Sequence, residues 1–193
     1  MSTGTDGVAT ITWDVPGKSM NVMSMEGLSE LNDLIDAGLA DSTVKGIVIT
    51  SGKEGSFAGG MDLNLLAKMK ENAGDDPAQG FFEGTMRIHQ LLRKIERAGM
   101  DPKTLKGGKP IATAMPGTGL GIGFEIPLAT HRIFAAPNPK AKIGLPEILV
   151  GIFPGAGGTT RLVRKMGAMA ASPYLLEGKT LAPEKAKAAG LID

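Results

Sequence analysis

The 193-residue chain predicts an α/β fold. Two kinds of segment carry that expectation. Short β-branched runs end in glycine or serine, and longer stretches repeat apolar residues every three or four positions. The two kinds alternate along most of the chain, with no internal repeat and no shift in composition that would divide it. One domain over residues 1–193 is therefore expected.

Val8-Ala-Thr-Ile-Thr-Trp13 alternates apolar with polar and predicts a strand, with Trp13 covering core. Over 26–40 the residues Leu28, Leu31, Leu34, Ile35 and Leu39 share one face of a helix, and Met20, Met23 and Met25 are expected to pack around its start. Gly46-Ile-Val-Ile-Thr50 reads as a buried strand. A helix is expected over 63–71 and a polar loop over 72–80. A second amphipathic helix follows over 80–97, carrying Phe81, Met86, Ile88, Leu91, Leu92 and Ile95. Beyond a loop at 98–108, strands are expected at 110–115 and 132–136, and helices near 157–166, 173–176 and 183–189.

The bulk composition excludes several classes. A net charge of +1, with basic and acidic residues interspersed, offers no stripe for nucleic acid. Zero cysteines remove disulfides and thiolate chemistry and fit a reducing compartment. No uncharged apolar run approaches the roughly 18 residues of a membrane span, and residues 1–14 lack the pattern of a signal peptide, so a cytoplasmic protein is expected. His89 and His131 lie far apart, and no metal site is expected.

Two lone carboxylates sit in apolar, glycine-rich surroundings: Glu125 in Gly117-Thr-Gly-Leu-Gly-Ile-Gly-Phe-Glu125, and Glu147 in Ile143-Gly-Leu-Pro-Glu147. The glycines do not follow a dinucleotide fingerprint, since the sixth position from Gly117 is Ile122 and from Gly119 is Phe124. Gly178-Lys-Thr180 lacks the earlier glycine of a phosphate loop, where Pro173 stands. If the glutamates meet in a cleft, burial and mutual repulsion raise their pKa values and fit them for acid and base work near neutrality. If they lie in open loops, they are solvated and do no chemistry. The turns at 58–61 and 121–123 expose backbone N–H groups that suit a developing oxyanion, or they only pack helices on a sheet. Asp62 is expected to cap the helix that follows it.

Four blocks in order resemble one family: Phe57-Ala-Gly-Gly-Met-Asp62, Lys109-Pro-Ile-Ala with Gly117–Glu125, Ile143-Gly-Leu-Pro-Glu147, and Gly151-Ile-Phe-Pro-Gly-Ala-Gly-Gly-Thr-Thr-Arg-Leu162. They resemble the crotonase (enoyl-CoA hydratase/isomerase) superfamily over nearly the whole chain, and most nearly its branch at the N-terminus of multifunctional fatty-acid oxidation α-subunits. The Pro137-Asn-Pro-Lys-Ala segment also resembles that branch. The resemblance implies a spiral of ββα turns that binds an acyl-CoA thioester between two backbone N–H groups. These fall on Met61 and Ile122, and the catalytic pair falls on Glu125 and Glu147. Substrate contacts are implied for Met61, Asp62, Leu63, Asn64, Gly121, Pro146 and Gly155, whose N–H would help place the catalytic water.

Three features depart from the family pattern. Ile122 replaces the usual central glycine and is expected to narrow the acyl pocket. Pro116 replaces an asparagine and deletes one N–H. The chain stops at Asp193, so the usual C-terminal helices are expected to be missing, through truncation, and the surface they cover to be left open. The resemblance implies hydration of trans-2-enoyl-CoA to 3-hydroxyacyl-CoA in β-oxidation, with no metal or redox cofactor, CoA entering as part of the substrate. Two alternatives stay open: Δ3–Δ2 enoyl-CoA isomerisation, and a non-catalytic acyl-CoA-binding or assembly module. A homo-oligomer, or association with further domains of an oxidation complex, is expected.

Overall fold

The structure, a computed structural model, describes residues 1–62 and 76–193. The helix expected over 63–71, its capping by Asp62, and the assignments on Leu63 and Asn64 lie outside the described residues. Strands β1 (Ser2–Thr3), β2 (Val8–Trp13), β3 (Gly46–Ser51), β5 (Ile111–Met115) and β7 (Arg132–Ala135) form one sheet in the order β1-β2-β3-β5-β7. A second sheet joins β4 (Ser56–Ala58), β6 (Thr118–Leu120), β8 (Ile143–Gly144) and β9 (Thr180–Leu181) in that order. Each sheet is parallel except for one edge strand, β1 or β9.

Among the described residues the helices are α1 (Met25–Ala40), α2 (Pro77–Arg97), α3 (Ile122–Ala129), α4 (Gly158–Met166), α5 (Ala168–Leu176) and α6 (Pro183–Ala188), with a 3₁₀ turn at Glu147–Val150. Successive turns of chain therefore give one strand to each sheet and then a helix: β5 and β6 before α3, β7 and β8 before the 3₁₀ turn and α4. This is the ββα spiral, repeated in backbone though not in sequence. Among the described residues no helix is long and apolar enough to cross a membrane.

Local chemistry explains where the long helices begin and what they bury. The Ser24 side chain accepts from the Gly27 N–H to start α1, which buries Leu28, Leu31 and Ile35. Asp76 accepts from the Ala78 and Gln79 N–H groups, and Pro77 supplies the preset φ of a first helical residue. That pair starts α2 earlier than the apolar periodicity suggests, so residues 77–80 are helix and not loop. Ile88, Leu91, Leu92 and Ile95 form its buried face. Met23 is buried and Met25 half-buried at the start of α1, whereas Met20 is exposed and lies over Gly59. Trp13 is half-buried, its ring edge-on to Phe57 at 5.9 Å.

One buried polar residue ties the sheet ends together. Asn21 is fully buried; its Oδ1 accepts from the Val15 N–H at 2.9 Å. Its Nδ2 donates to the Trp13 carbonyl at 2.9 Å, and to Ser51 Oγ and the Phe57 carbonyl at 3.0 Å each. Its own carbonyl accepts from the Gly59 N–H at 2.8 Å. The ends of β2, β3 and β4 are thereby fixed relative to the turn that leads to Met61. Asn21→Ala strands several of these groups, and we expect it to cost about 2–4 kcal/mol. Urea unfolding at unchanged slope measures the loss; an unmoved midpoint would mean that the backbone groups find other partners.

Candidate active site

Strand β6 ends at Leu120, and Gly121 turns the chain into α3 with φ 56°, a left-handed value that favours glycine. The Gly121 carbonyl accepts from the Phe124 N–H at 2.7 Å and the Glu125 N–H at 2.9 Å. Ile122, first in the helix, has no acceptor for its N–H within it. The helix sequence Ile-Gly-Phe-Glu-Ile-Pro-Leu-Ala is buried throughout, and Glu125 is its single charged residue, 2% exposed. The reading of Glu125 as a solvated loop residue is thus overturned. Ile122 is 3% exposed and joins the apolar core.

The turn after β4 approaches from the other side. The Gly60 carbonyl accepts from the Met23 N–H at 2.9 Å, and the Asp62 N–H donates to the Met23 carbonyl at 3.0 Å. In such a parallel bridge successive N–H groups alternate sides, so the Met61 N–H points away from the segment at 21–23. A Cβ placed on Gly121 would lie 3.8 Å from the Gly60 Cα, so the turns carrying Met61 and Ile122 touch.

Glu125 is held from a third direction. Its Oε1 accepts from the Ala156 N–H at 2.9 Å and from the Gly158 N–H, at the start of α4, at 2.7 Å. A Cβ on Gly158 would sit 2.8 Å from that oxygen, so the loop can close on the carboxylate only as glycine. Arg161 braces the loop, its Nη1 donating to the Ala156 carbonyl at 3.0 Å. Burial raises the Glu125 pKa to about 7; the Gly158 N–H opposes it, the Glu147 charge adds to it, and Ala156 and Arg161 offset part of it.

Glu147 opens the 3₁₀ turn directly after Pro146 and is half-buried. Its Oε1 lies 3.3 Å from where a Gly121 Cβ would be, which puts it beside the turn at the head of α3. Its Oε2 is buried and has no hydrogen-bond partner among the described residues. Burial raises its pKa as well. The structure therefore gathers Glu125, Glu147, Gly121, Ile122 and Met61 around one point. Gly155 is exposed, and its neighbours Ala156 and Gly158, which the sequence reading did not single out, supply the N–H groups on Glu125. Their signal was the run Gly155-Ala-Gly-Gly158 itself, where chain without side chains can approach an anion. Among the described residues no group of three His, Cys, Asp or Glu could hold a metal. The His131 Nδ1 instead accepts from the Ile111 N–H at 2.9 Å.

Residues 3–193 match the family described as enoyl-CoA hydratase/isomerase. The chain is similar to the fatty acid oxidation complex subunit alpha of Shewanella halifaxensis (strain HAW-EB4), 36% identical over 190 residues, which covers 97% of this chain and 24% of that one. It thus spans about a quarter of the length of that relative. It superposes on an enoyl-CoA hydratase from Bacillus anthracis with TM-score 0.80 at 27% identity, covering 99% of this chain and 67% of the other. It superposes equally on human mitochondrial delta3-delta2-enoyl-CoA isomerase, with TM-score 0.79 at 25% identity, covering 97% and 66%.

The raised pKa of Glu125 has a consequence for stability. The side chain ionises ordinarily near 4.5 and in the fold at about 7, so between these values the folded state keeps a proton that the unfolded chain has lost. Stability contributed at low pH therefore declines as pH rises through that window, by about 3 kcal/mol in total. Glu125→Gln removes the titration. We expect the variant to gain on the parent by about that amount between pH 5 and pH 8, as read from denaturant unfolding at each pH. A difference independent of pH would mean that Glu125 ionises normally.

Proposed function

The chain belongs to the enoyl-CoA hydratase/isomerase family, and from that premise we propose that it hydrates trans-2-enoyl-CoA to 3-hydroxyacyl-CoA in fatty-acid β-oxidation. The observation that carries the proposal is the pairing of unlike carboxylates: Glu125 pinned by two N–H groups, and Glu147 with a buried oxygen left unpartnered among the described residues. The thioester oxygen receives the N–H groups of Met61 and Ile122, which stabilise it as C2 gains electron density. Glu125, ionised in a large share of molecules near pH 7, orients water and takes its proton as the oxygen bonds to C3. Glu147, whose pKa burial also raises, delivers a proton to C2. Proton transfer and oxyanion stabilisation account for every bond, so the scheme requires no metal or redox cofactor, and CoA enters with the substrate. Asp62, Leu63, Asn64, Gly121, Pro146 and Gly155 are proposed to line the thioester and water positions.

A second reading, Δ3–Δ2 isomerisation, draws support from the likeness to the human isomerase. There one carboxylate moves a proton from C2 to C4 and no oxygen enters. Turnover of a short enoyl-CoA with the product's mass read directly separates the two, since hydration adds one water. Exposed Leu149, Val150, Phe153, Met169 and Leu176 support association of this surface with a further domain or a second copy.

Glu147→Gln is expected to lower turnover by about 10²–10⁴ with substrate binding largely kept. A variant hydrating at the parent rate would remove Glu147 from the proton transfer. Met61→Ala should change turnover little, because only the backbone N–H is used. Met61→Pro deletes that donor and is expected to cost about 10²–10³ in kcat. Equal kcat in the proline variant, with its circular dichroism unchanged, would remove the donor from this position.

A further inference from the structure

Helices α2 and α4 flank the helix that bears Glu125 and leave between them an open cleft of about 510 Å³. Its walls carry His89, Arg93 and Glu96 from α2, and Thr160, Arg161 and Arg164 from α4. Three guanidinium groups therefore face one lining carboxylate. Arg93 Nη1 bonds Glu96 Oε2 at 2.6 Å, while Arg161 Nη2 stands 3.6 Å from the same oxygen, too far for a good hydrogen bond. Their charges, with that of Arg164, hold the Glu96 carboxyl below its usual pKa against the opposing effect of burial.

Arg161 is the informative member. Its side chain is 11% exposed, and its Nη1 is committed to the Ala156 carbonyl. Its Nε is buried and without a hydrogen-bond partner among the described residues. The Nε–Nη2 edge, which matches a carboxylate or phosphate two oxygens at a time, thus has no short acceptor. A buried cationic donor left unmatched is costly unless something completes it.

We propose that this cleft binds a compact oxyanion, a carboxylate or phosphate, between Arg93 on the α2 wall and Arg161 and Arg164 on the α4 wall. The anion comes either on a separate small molecule or at the far end of the acyl chain. The cleft abuts the loop that holds Glu125: a Cβ on Gly157 would lie 2.7 Å from Arg161 Nη1 and 3.8 Å from His89 Cε1. An anion seated there would also offset the Arg161 charge that lowers the Glu125 pKa.

Calorimetry at fixed ionic strength tests the site with glutarate and inorganic phosphate as probes. The parent should bind at least one of them saturably, and Arg93→Gln/Arg164→Gln should weaken binding roughly tenfold or more. Arg164→Lys, which keeps the charge but not the fork, should lie between. Melting curves establish that all variants fold. Absence of saturable binding of either probe, or equal binding by the parent and the double variant, would overturn the proposal.

A second arm rests on the proposed reaction and finds the anion's source. It compares kcat/KM for a carboxylate-ended enoyl-CoA with that for its methyl-ended counterpart of equal length. An acyl-borne anion gives the parent a preference that the double variant loses. A separate anion leaves the ratio alike in both proteins while glutarate or phosphate binding persists. If neither thioester turns over, the reaction proposed above fails, and calorimetry still judges the cleft.

Discussion

The two N–H groups that meet Glu125 Oε1 are the contact on which the rest of the molecule depends. An ionisable side chain within a fully buried helix is unfavourable unless hydrogen-bonded. Ala156 and Gly158 supply the bonds, and to do so the chain must cross from the 3₁₀ turn to α4 directly over α3. That crossing fixes where α4 packs, and Arg161, one turn into α4, locks the loop through the Ala156 carbonyl. The bonds do not fully compensate burial, because the pKa still rises to about 7. This incomplete compensation suits the group to the acid–base role proposed for it: a carboxylate better solvated by donors would stay ionised and be a weak base.

The same geometry shows what was legible in the sequence. Long elements were, because α1 and α2 bury continuous apolar faces and β2 and β3 are β-branched. The second sheet was not. Strands β4, β6, β8 and β9 have two or three residues each, too few to display a period, and their pairing depends on chain far away in sequence. Helix α3 was hidden for another reason: a segment apolar on every side has no amphipathic stripe, and it contains Pro127 besides. Glu125 and Glu147 were legible as chemical anomalies, and their conjunction only through the four ordered motifs. Ala156 and Gly158 act through backbone, so no side chain advertised them.

Backbone donors also explain why glycine would surround the site while the proposed donors fall on Met61 and Ile122. Gly60 and Gly121 both adopt positive φ and turn the chain, and among the described residues the following N–H in each case is left outside the strand or helix pairing. An isoleucine after Gly121 keeps its N–H and sends its side chain into the core, so the departure from the usual glycine removes no backbone donor. Asn21 enters here as well, since its carbonyl holds the Gly59 N–H and sets the height at which Met61 is presented.

The two carboxylates differ in a way that bears on which reaction the pocket is built for. Glu125 spends one oxygen on two N–H groups and has a fixed orientation, whereas Glu147 keeps a buried oxygen unmatched among the described residues. Moving a proton from C2 to C4 of one substrate asks for a single carboxylate with reach, and a second one held rigidly beside it would add only repulsion. Adding water across a double bond asks for more. The water must be held while its proton leaves, and a separate group must meet C2 on the same pass. A carboxylate pinned by donors suits the first task, and one with an oxygen still unmatched suits the second. Their mutual repulsion, which raises the Glu125 pKa, favours the state in which one is protonated and the other is not. The hydration proposed above would start from such a state, and the Gly121 turn at the head of α3, which Glu147 Oε1 adjoins, keeps the pair close.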